Sequence, residues 1–127
     1  MEVIGNDVAI RGWDREYAYQ RNEYFIYTVK CTANQKVYVG RTVFPRNRFR
    51  CHSSALRNGH HPNKDMQADY DKYGEECFVC EILFGTKDRW DRSEGNTIEA
   101  LRAYDPAYGY NDDPLARKLR REHDSDK

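Results

Sequence analysis

The sequence predicts an α+β fold, a small sheet with helices packed on it, in the order β-β-α-α-β-α. Three observations support this prediction. The 127 residues are enough for one compact domain with one core, but too few for two. Three runs are rich in aromatic and β-branched residues, as strands are. The stretches between and after these runs are more polar and are bounded by proline and glycine, which favours helices.

The first half of the chain predicts a β-hairpin. Residues 24–31 read YFIYTVKC and residues 36–40 read KVYVG, two strand-like runs joined by the turn residues 32–35. Gly40 ends the second strand.

Two helices are predicted after the hairpin. Pro45 suits a helix start, where its missing N–H costs little, so the first helix is expected over 46–58. Asn63 is a good cap for a second helix over 64–73, and Gly74 ends it.

The second half of the chain adds one strand and one helix. Residues 77–84 are apolar enough for a central strand. A long helix is expected over 88–103, followed by a loop over 104–111 that contains Pro106 and Gly109.

The two ends of the chain are interpreted as additions to this domain. Residues 1–22 are expected to form an N-terminal arm packed over the domain, with room for one short helix. Residues 112–127 are expected to form a charged C-terminal tail with one or two helical turns near 115–119. The compact domain lies between them, over 23–111.

Composition excludes some classes of protein. No apolar run approaches the ~20 residues that span a bilayer, so no membrane association is expected. The first residues lack the basic start and apolar core of a secretion signal, so the four cysteines are expected to be thiols in the cytoplasm. Cys77 and Cys80 have the spacing of half a zinc site, but without a second pair they are better explained as core thiols.

Charge is unevenly distributed although the net charge is zero. Residues 36–72 hold eight Lys and Arg against three Asp and Glu, and residues 73–105 hold four against eight. This pattern suits a surface that grips phosphates beside a site that binds a cation. Ordinary solvated charge explains it equally well on composition alone.

Two helical positions are candidates for chemistry. Arg48 and His52 are four residues apart and so share one helix face, which can pair phosphate stabilisation with proton movement. Glu94 interrupts an apolar stripe on the last predicted helix, whose other members are Trp90, Ile98 and Leu101. A carboxylate on a core-facing stripe needs a partner or a metal ion. A salt bridge to an arginine, or exposure near the helix start, remains an alternative, and Glu99 lies on another face.

The order of these motifs resembles the GIY-YIG nuclease family. The tripeptide Phe25-Ile26-Tyr27 and the later Tyr38-Val39-Gly40 are similar to the paired tripeptides of that family. The further matching positions follow in the family's order: Arg48, His52, His61, Tyr73-Gly74, a glutamate in the last helix, and Gly109-Tyr110-Asn111. The sequence departs from the pattern in two ways. Phe25 replaces the usual glycine, and the number of residues between Glu94 and Asn111 is larger than usual.

The resemblance implies a three-stranded antiparallel sheet flanked by helices and a set of catalytic residues. Tyr27 is expected to act as base or relay for the attacking water, and Tyr38 to hold the scissile phosphate or that relay. Arg48 is expected to stabilise the pentacovalent charge, and His52 to accept the Tyr27 proton or tune it. A free tyrosine titrates near pH 10, so it needs such a partner to act at neutral pH.

The resemblance also implies a metal ion and a final structural residue. Glu94 is expected to be the single protein ligand of Mg²⁺, with Mn²⁺ as a substitute, because Mg²⁺ retains several waters and needs few carboxylates. Asn111 is expected to fix the last loop against the site.

The implied partner is DNA, and its candidate contacts lie in the basic half of the chain: Arg41, Arg46, Arg50, His61 and Lys64. The expected activity is a metal-dependent endonuclease that nicks or cuts duplex DNA at specific sites for a phage or mobile element, in a bacterial or phage-infected cell. Whether it works as a monomer or a homodimer is left open. The alternative is a catalytically silent DNA-binding module with the same fold.

Overall fold

The architecture is a twisted four-stranded sheet with helices on both faces. The computed structural model describes residues 2–4, 23–88, 92–112 and 114–125. The strands are β1 (Glu2–Ile4), β2 (Tyr24–Cys31), β3 (Val37–Thr42) and β4 (Phe78–Thr86). The helices are α1 (Pro45–Arg57), α2 (Lys64–Tyr73), α3 (Ser93–Leu101) and α4 (Pro114–Ser125). A single 3₁₀ turn, Glu75–Cys77, precedes β4.

The predicted three-stranded antiparallel sheet is confirmed, and a fourth strand extends it. The strand order is β1-β4-β2-β3, in which β2 pairs antiparallel with both β3 and β4. The short strand β1 runs parallel to β4 at the outer edge. The expectation of an arm packed over the domain was therefore wrong for residues 2–4, because they join the sheet through the free edge of β4. The rest of the predicted arm, residues 5–22, lies outside the described residues.

Alternation along β2 separates the core into two layers. Tyr27, Val29 and Cys31 face α1 and α2, where they pack with a cluster completed by Phe49, Leu56, Met66, Phe78, Cys80 and Tyr110. Ile26 points the other way, toward α3 and α4, and packs with Val39, Ile98, Ala103, Tyr104, Ala116 and Leu119. Successive side chains of a strand point to opposite faces. We call the α1/α2 side of the sheet the site face and the α3/α4 side the support face.

The helix ends follow the capping signals in the sequence. Pro45 opens α1 at its first position, as expected. The Asn63 side chain accepts a hydrogen bond from the Met66 N–H and so caps α2. Gly74 ends α2 with a positive φ of 91°. These three local signals explain why the predicted bounds of α1 and α2 agree closely with the structure.

The long helix expected over 88–103 is shorter in the structure. The Asp88 N–H donates to the Thr86 hydroxyl at 3.1 Å, which forms a turn where the helix was expected to begin. The helix α3 starts at Ser93 and ends before Arg102, which takes a left-handed conformation. The predicted apolar stripe was also partly wrong, because Leu101 is 42% exposed while Ile98 is fully buried. Trp90 lies outside the described residues.

The C-terminal tail forms one helix of 12 residues. Ala116 and Leu119 of α4 are buried in the support-face cluster. The expectation of one or two helical turns was therefore too short. The segment has few apolar residues, but Ala116 and Leu119 are three positions apart and so lie on one face of the helix, where they pack on the domain. Among the helices described, none is both long enough and apolar enough to cross a membrane.

Candidate active site

Tyr27 lies at the centre of the site face, and its position depends on Gly40. Tyr27 and Gly40 are partners across the β2–β3 ladder. A Cβ atom placed on Gly40 would lie 2.4 Å from the Tyr27 ring and hydroxyl. Any other residue at position 40 would therefore displace the ring. The glycine that ends the second tripeptide thus provides the space in which the tyrosine of the first tripeptide lies.

Two side chains of α1 converge on the Tyr27 hydroxyl oxygen. The Arg48 Nε–H donates to this oxygen at 3.2 Å. The His52 Nε2 lies 2.9 Å from the same oxygen. Arg48 and His52 are one helical turn apart, so the spacing predicted from the sequence places both on the face of α1 that meets β2.

A chain of hydrogen bonds continues from His52 to the backbone. The His52 Nδ1 lies 2.8 Å from the His61 Nε2. The His61 Nδ1 accepts a hydrogen bond from the Asn63 backbone N–H at 3.0 Å. The two imidazole rings are stacked, with an interplanar angle of 18°.

The backbone donor fixes the direction of every bond in this chain. A backbone N–H can only donate, so the His61 Nδ1 carries no hydrogen and a neutral His61 has its hydrogen on Nε2. That hydrogen points to the His52 Nδ1, which must accept. A neutral His52 therefore carries its hydrogen on Nε2 and donates it to Tyr27. The Tyr27 oxygen thus accepts two N–H bonds, one of them from a guanidinium.

Burial determines the protonation of this group. It raises the pKa of the Tyr27 hydroxyl above its ordinary value, and the nearby Tyr38 adds to the rise, whereas Arg48 opposes it. Burial also lowers the pKa of His52 to about 3, with the positive charge of Arg48 contributing. The pKa of His61 is lowered for the same first reason. Both histidines are therefore neutral at pH 7, as the hydrogen-bond chain requires.

Tyr38 brings the site to the surface. Its ring lies 6.3 Å from the Tyr27 ring and 5.5 Å from the His52 ring, measured between centroids. Tyr27 is only 1% exposed, whereas Tyr38 is half-buried and lines an open cleft of about 660 Å³. Hydrogen bonds to Tyr27 and, more weakly, to Tyr38 raise the pKa of Arg48. Arg48 therefore joins the buried tyrosine to the one on the cleft wall.

The active-site cleft lies between α1 and the start of α2. Its lining combines the predicted site residues with several that sequence reasoning missed: Tyr38, Arg48, Cys51, His52, Ala55, His61, Pro62, Asn63, Lys64, Asp65 and Asp112. Two of the missed residues, Cys51 and Asp112, directly neighbour predicted site residues in the chain. Asn63 was predicted only as a helix cap, and no sequence signal indicated that its N–H would orient His61.

Asn111 ties the last loop to the strand that carries Tyr38. Its side-chain oxygen accepts from the Val39 N–H at 2.8 Å, and its side-chain N–H donates to the Val39 carbonyl at 2.9 Å. Asn111 is buried, so this pair of bonds is shielded from water. The Asn111 amide therefore continues the hydrogen-bond ladder at the edge of β3. It fixes the backbone at Val39, the residue next to Tyr38.

Glu94 lies on a different element and is not among the residues that line the active-site cleft. It lies half-buried in the first turn of α3, one helical turn before the buried Ile98. The helix α3 belongs to the support face, and it packs against β3, the edge strand that carries Tyr38. Glu99, five residues later, is exposed. Glu94 is thus the acidic residue of α3 that is partly removed from water.

The donor set of the described residues fits only a lightly chelated metal ion. Within those residues, no group of three or more His, Cys, Asp or Glu side chains is placed to hold a metal together. Tetrahedral zinc needs such a group. Mg²⁺ binds through one or two carboxylates and keeps its remaining sites for water and phosphate oxygens. A single half-buried glutamate is compatible with Mg²⁺ and incompatible with a structural zinc site.

The five candidate DNA contacts separate into two groups. His61 and Lys64 line the active-site cleft. Arg46 and Arg50 are exposed on α1, where the helical repeat of 3.6 residues places them on the side away from Arg48 and His52. Arg41 lies on β3 with its guanidinium 4.0 Å from the centre of the Tyr24 ring. The cleft therefore gathers only part of the predicted set.

The departure from the tripeptide pattern at Phe25 is compensated across the sheet. Phe25 is buried and pairs with Gly85 of β4. A Cβ atom on Gly85 would lie 2.9 Å from the Phe25 ring. A glycine on β4 thus leaves the space that the Phe25 ring occupies.

Comparison with known proteins agrees with this geometry. The GIY-YIG catalytic domain family matches residues 23–111. The chain therefore belongs to the GIY-YIG family, and it carries the nuclease domain that defines the family. Among curated proteins, no sequence matches the chain.

Two solved structures are similar to the chain. One is the catalytic domain of the intron endonuclease I-TevI, in a form with one glutamate changed to alanine. It is 32% identical, with a TM-score of 0.60, over 70% of this chain and 92% of that one. The other is the catalytic domain of the homing endonuclease I-TevI, 29% identical, with a TM-score of 0.58, over 69% and 96% of the two chains.

Proposed function

We propose that this protein is a metal-dependent DNA endonuclease that hydrolyses a phosphodiester in the active-site cleft. The observation that carries the proposal is the pair of N–H donors aimed at the Tyr27 oxygen, at 2.9 and 3.2 Å. A buried oxygen that accepts from a guanidinium and an imidazole is stabilised when it becomes negatively charged. Such an oxygen is suited to take a proton during the reaction.

Arg48 has a second task besides holding Tyr27. Only its Nε–H is needed for the bond to Tyr27, and its side chain lines the cleft. The two terminal nitrogens of a guanidinium form a planar fork that matches phosphate oxygens. Arg48 therefore binds the scissile phosphate and stabilises the charge that grows on it as water attacks.

The two tyrosines form the proton path. Tyr38 is the tyrosine that lines the cleft, and it meets the attacking water. The water oxygen forms the new P–O bond while its proton passes to the Tyr38 oxygen, and the Tyr38 proton passes to the Tyr27 phenolate. The bond to the leaving oxygen breaks, and that oxygen takes a proton from solvent. Tyr27 then releases its proton through Tyr38 to solvent, which restores the phenolate. Because burial raises the pKa of Tyr27, the phenolate is a minor form at pH 7, and the cleavage rate is expected to increase as pH rises.

His52 orients Tyr27 rather than accepting its proton. The hydrogen-bond chain from Asn63 through His61 places the His52 hydrogen on Nε2, facing Tyr27. An Nε2 that already carries hydrogen has no lone pair for a second proton. Of the two roles expected from the sequence, tuning the tyrosine is the one that the hydrogen bonds support.

Glu94 is the residue that would hold Mg²⁺, or Mn²⁺ in its place. When bound, the ion supplies positive charge that stabilises the phosphate and the leaving oxygen. The support for this assignment is chemical: the glutamate is half-buried, acidic and in the first turn of a helix that packs on β3.

The cellular role follows from the same reasoning. All four cysteines are free, in keeping with a reducing cytoplasm, in a bacterium or a phage-infected cell. The similarity to a homing endonuclease supports cleavage at specific sites for a phage or mobile element. One active site cuts one strand, so a monomer would nick duplex DNA and a homodimer would cut both strands.

Incubation with supercoiled plasmid tests the activity and its metal ion. We expect open-circular or linear product with Mg²⁺, and none with EDTA. Glu94→Gln is expected to lower the rate by at least about a hundredfold. Glu99→Gln is the matched control, since it removes the same charge from an exposed position of the same helix, and it should leave the rate unchanged.

The outcomes separate the parts of the proposal. Cleavage that persists in EDTA would exclude the metal ion, and equal rates for the two glutamine variants would exclude Glu94 as its ligand. If wild-type protein leaves plasmid intact, a pool of random duplexes with Mg²⁺ or Mn²⁺ is the second substrate. A pool left intact as well would favour a silent DNA-binding module.

A further inference from the structure

The C-terminal helix α4 carries a cluster of basic residues beside the active-site cleft. Arg117, Lys118, Arg120 and Arg121 lie within five positions of the chain. The helix follows the residues matched by the family, which end at 111. The family relationship therefore says nothing of its role.

The helix is firmly packed on the domain. Ala116 is fully buried and Leu119 is 9% exposed, both in the support-face cluster with Ile98 of α3. This buried side fixes which residues of α4 face outward. Arg117, Lys118 and Arg121 are exposed as a result.

Asp112 connects this helix to the cleft. Its carboxylate lies 2.6 Å from the Arg120 guanidinium and 3.6 Å from that of Arg117. Asp112 is also one of the residues that line the active-site cleft. Two guanidiniums of α4 therefore reach the rim of the cleft in which the phosphodiester is expected to bind.

Helix geometry separates the basic residues into two sides. Consecutive residues of an α-helix are rotated by about 100°, and residues three or four apart lie close together. Arg117 and Arg120 thus form one ridge on the side of Asp112. Lys118 lies about 100° away from Arg117 around the helix axis, on the side away from Arg120 and next to Arg121.

We propose that the ridge of Arg117 and Arg120 on α4 binds the DNA backbone where it leaves the active-site cleft. This inference rests on the proposed function, since it names a second contact surface for the same substrate. In the free protein Asp112 forms ion pairs with these arginines. Backbone phosphates replace the Asp112 carboxylate when DNA binds. Each strand of DNA carries a negative charge about every 3.4 Å along its axis, so both arginines can contact phosphates at once.

Salt-dependent binding of a duplex tests the ridge. The probe is a fluorescent duplex of mixed sequence, about 30 base pairs long, titrated with protein in EDTA at several KCl concentrations. The logarithm of the affinity falls with the logarithm of salt by about 0.9 for each neutralised phosphate. We expect Arg117→Gln to weaken binding about three- to tenfold and to reduce this slope by about one.

Lys118→Gln is the matched control. It removes one positive charge from the neighbouring exposed position, so both variants change the overall charge equally. We expect the slope to stay within a few tenths of wild type for Lys118→Gln, because a remote charge releases no counterion. Arg117→Lys should restore most of the slope. Asp112→Asn should tighten binding, since it removes the carboxylate that competes with phosphate.

Equal slopes for Arg117→Gln and Lys118→Gln would overturn the proposal, and so would weaker binding by Asp112→Asn. Melting temperatures of all four variants must match wild type, which shows that α4 is still packed on the domain. If instead wild-type protein shows neither duplex binding nor cleavage, the proposed nuclease function fails and the ridge fails with it. Binding and cleavage by wild type with equal variant slopes would reject the ridge alone.

Discussion

The two faces of the central sheet differ in what their buried side chains do. On the site face, Tyr27 and His52 are buried polar side chains joined by a hydrogen bond. On the support face, Ile26, Val39 and Ile98 pack through apolar contact. Ile26 and Tyr27 are consecutive residues of β2, so one strand serves both layers. The alternation of side chains along a strand thus places a polar site residue and an apolar core residue on opposite faces within a single tripeptide.

The linked polar side chains of the site face carry a cost that apolar packing does not. Each buried polar group must keep a partner, since an unsatisfied one costs about 1–3 kcal/mol. The site face meets this requirement with a continuous series of hydrogen bonds that ends at the Asn63 backbone. Substitutions of fully buried side chains on the two faces should therefore affect different measurements, whereas the half-buried Glu94 of α3 lies outside the apolar cluster.

The largest effect is expected from Tyr27→Phe on the site face. Loss of the hydroxyl removes the proposed proton acceptor and should lower the single-turnover cleavage rate about a thousandfold, or about 4 kcal/mol in the barrier. The stability should fall by only about 1–3 kcal/mol, because the His52 N–H loses its partner. Plasmid cleavage and urea unfolding of the same sample measure the two effects. A rate within tenfold of wild type would show that Tyr27 takes no proton.

The next effect is expected from Ile98→Ala on the support face. This side chain is fully buried, and truncation of a buried isoleucine to alanine costs about 2–5 kcal/mol of folding free energy. The cleavage rate, measured well below the melting temperature, should stay within a few-fold of wild type. A large loss of activity in the folded variant would mean that the two faces are coupled rather than separate.

The smallest effect is expected from the pH dependence of stability. The pKa of His52 is about 3 in the folded protein, against its ordinary value of 6.5. Below pH 6.5 only the unfolded chain takes up this proton, so stability falls as pH falls, whereas above pH 6.5 there is no dependence. His52 alone should lower the free energy of unfolding by about 2 kcal/mol between pH 7 and pH 5.

Urea unfolding of wild type and His52→Gln at both pH values measures this difference. Subtracting the change in unfolding free energy of the variant from that of wild type removes the contributions of the carboxylates and the other histidines. Equal losses of stability in both proteins would contradict a lowered pKa of His52. A ¹⁵N spectrum of the histidine nitrogens gives a second observation. It should show hydrogen on His52 Nε2, and hydrogen on Nδ1 instead would reverse the direction of the whole chain of bonds.

Local signals made part of the fold predictable. The strand over 24–31 and the helix over 64–73 have the bounds that the sequence indicates, because β-branched runs, an Asn cap and a terminal glycine act over a few residues. The spacing of Arg48 and His52 likewise predicted that both meet on one helix face. The start of α3 was misplaced because a turn at Asp88 depends on a single side-chain bond to Thr86.

Long-range contacts were beyond such signals. The three residues of β1 have no periodicity of their own and become a strand only because β4 offers a free edge. The need for glycine at position 85 becomes clear only in the folded sheet, where the Phe25 ring lies across from it. Asp112 appeared as part of a charged tail, and its position at the cleft follows from the packing of the loop and α4.

The order of elements over 23–111, the family and the residue types of the site could be predicted from the sequence alone, because motif spacing and local propensity are properties of the chain. Only folding determines which tyrosine is buried and which lines the cleft, and in which direction His52 and His61 share their hydrogens. Those properties depend on atoms far apart in the chain: Gly40 beneath Tyr27, and the Asn63 N–H behind His61. Hydrogen-bond direction and burial arise only when separate segments meet, so no local pattern encodes them.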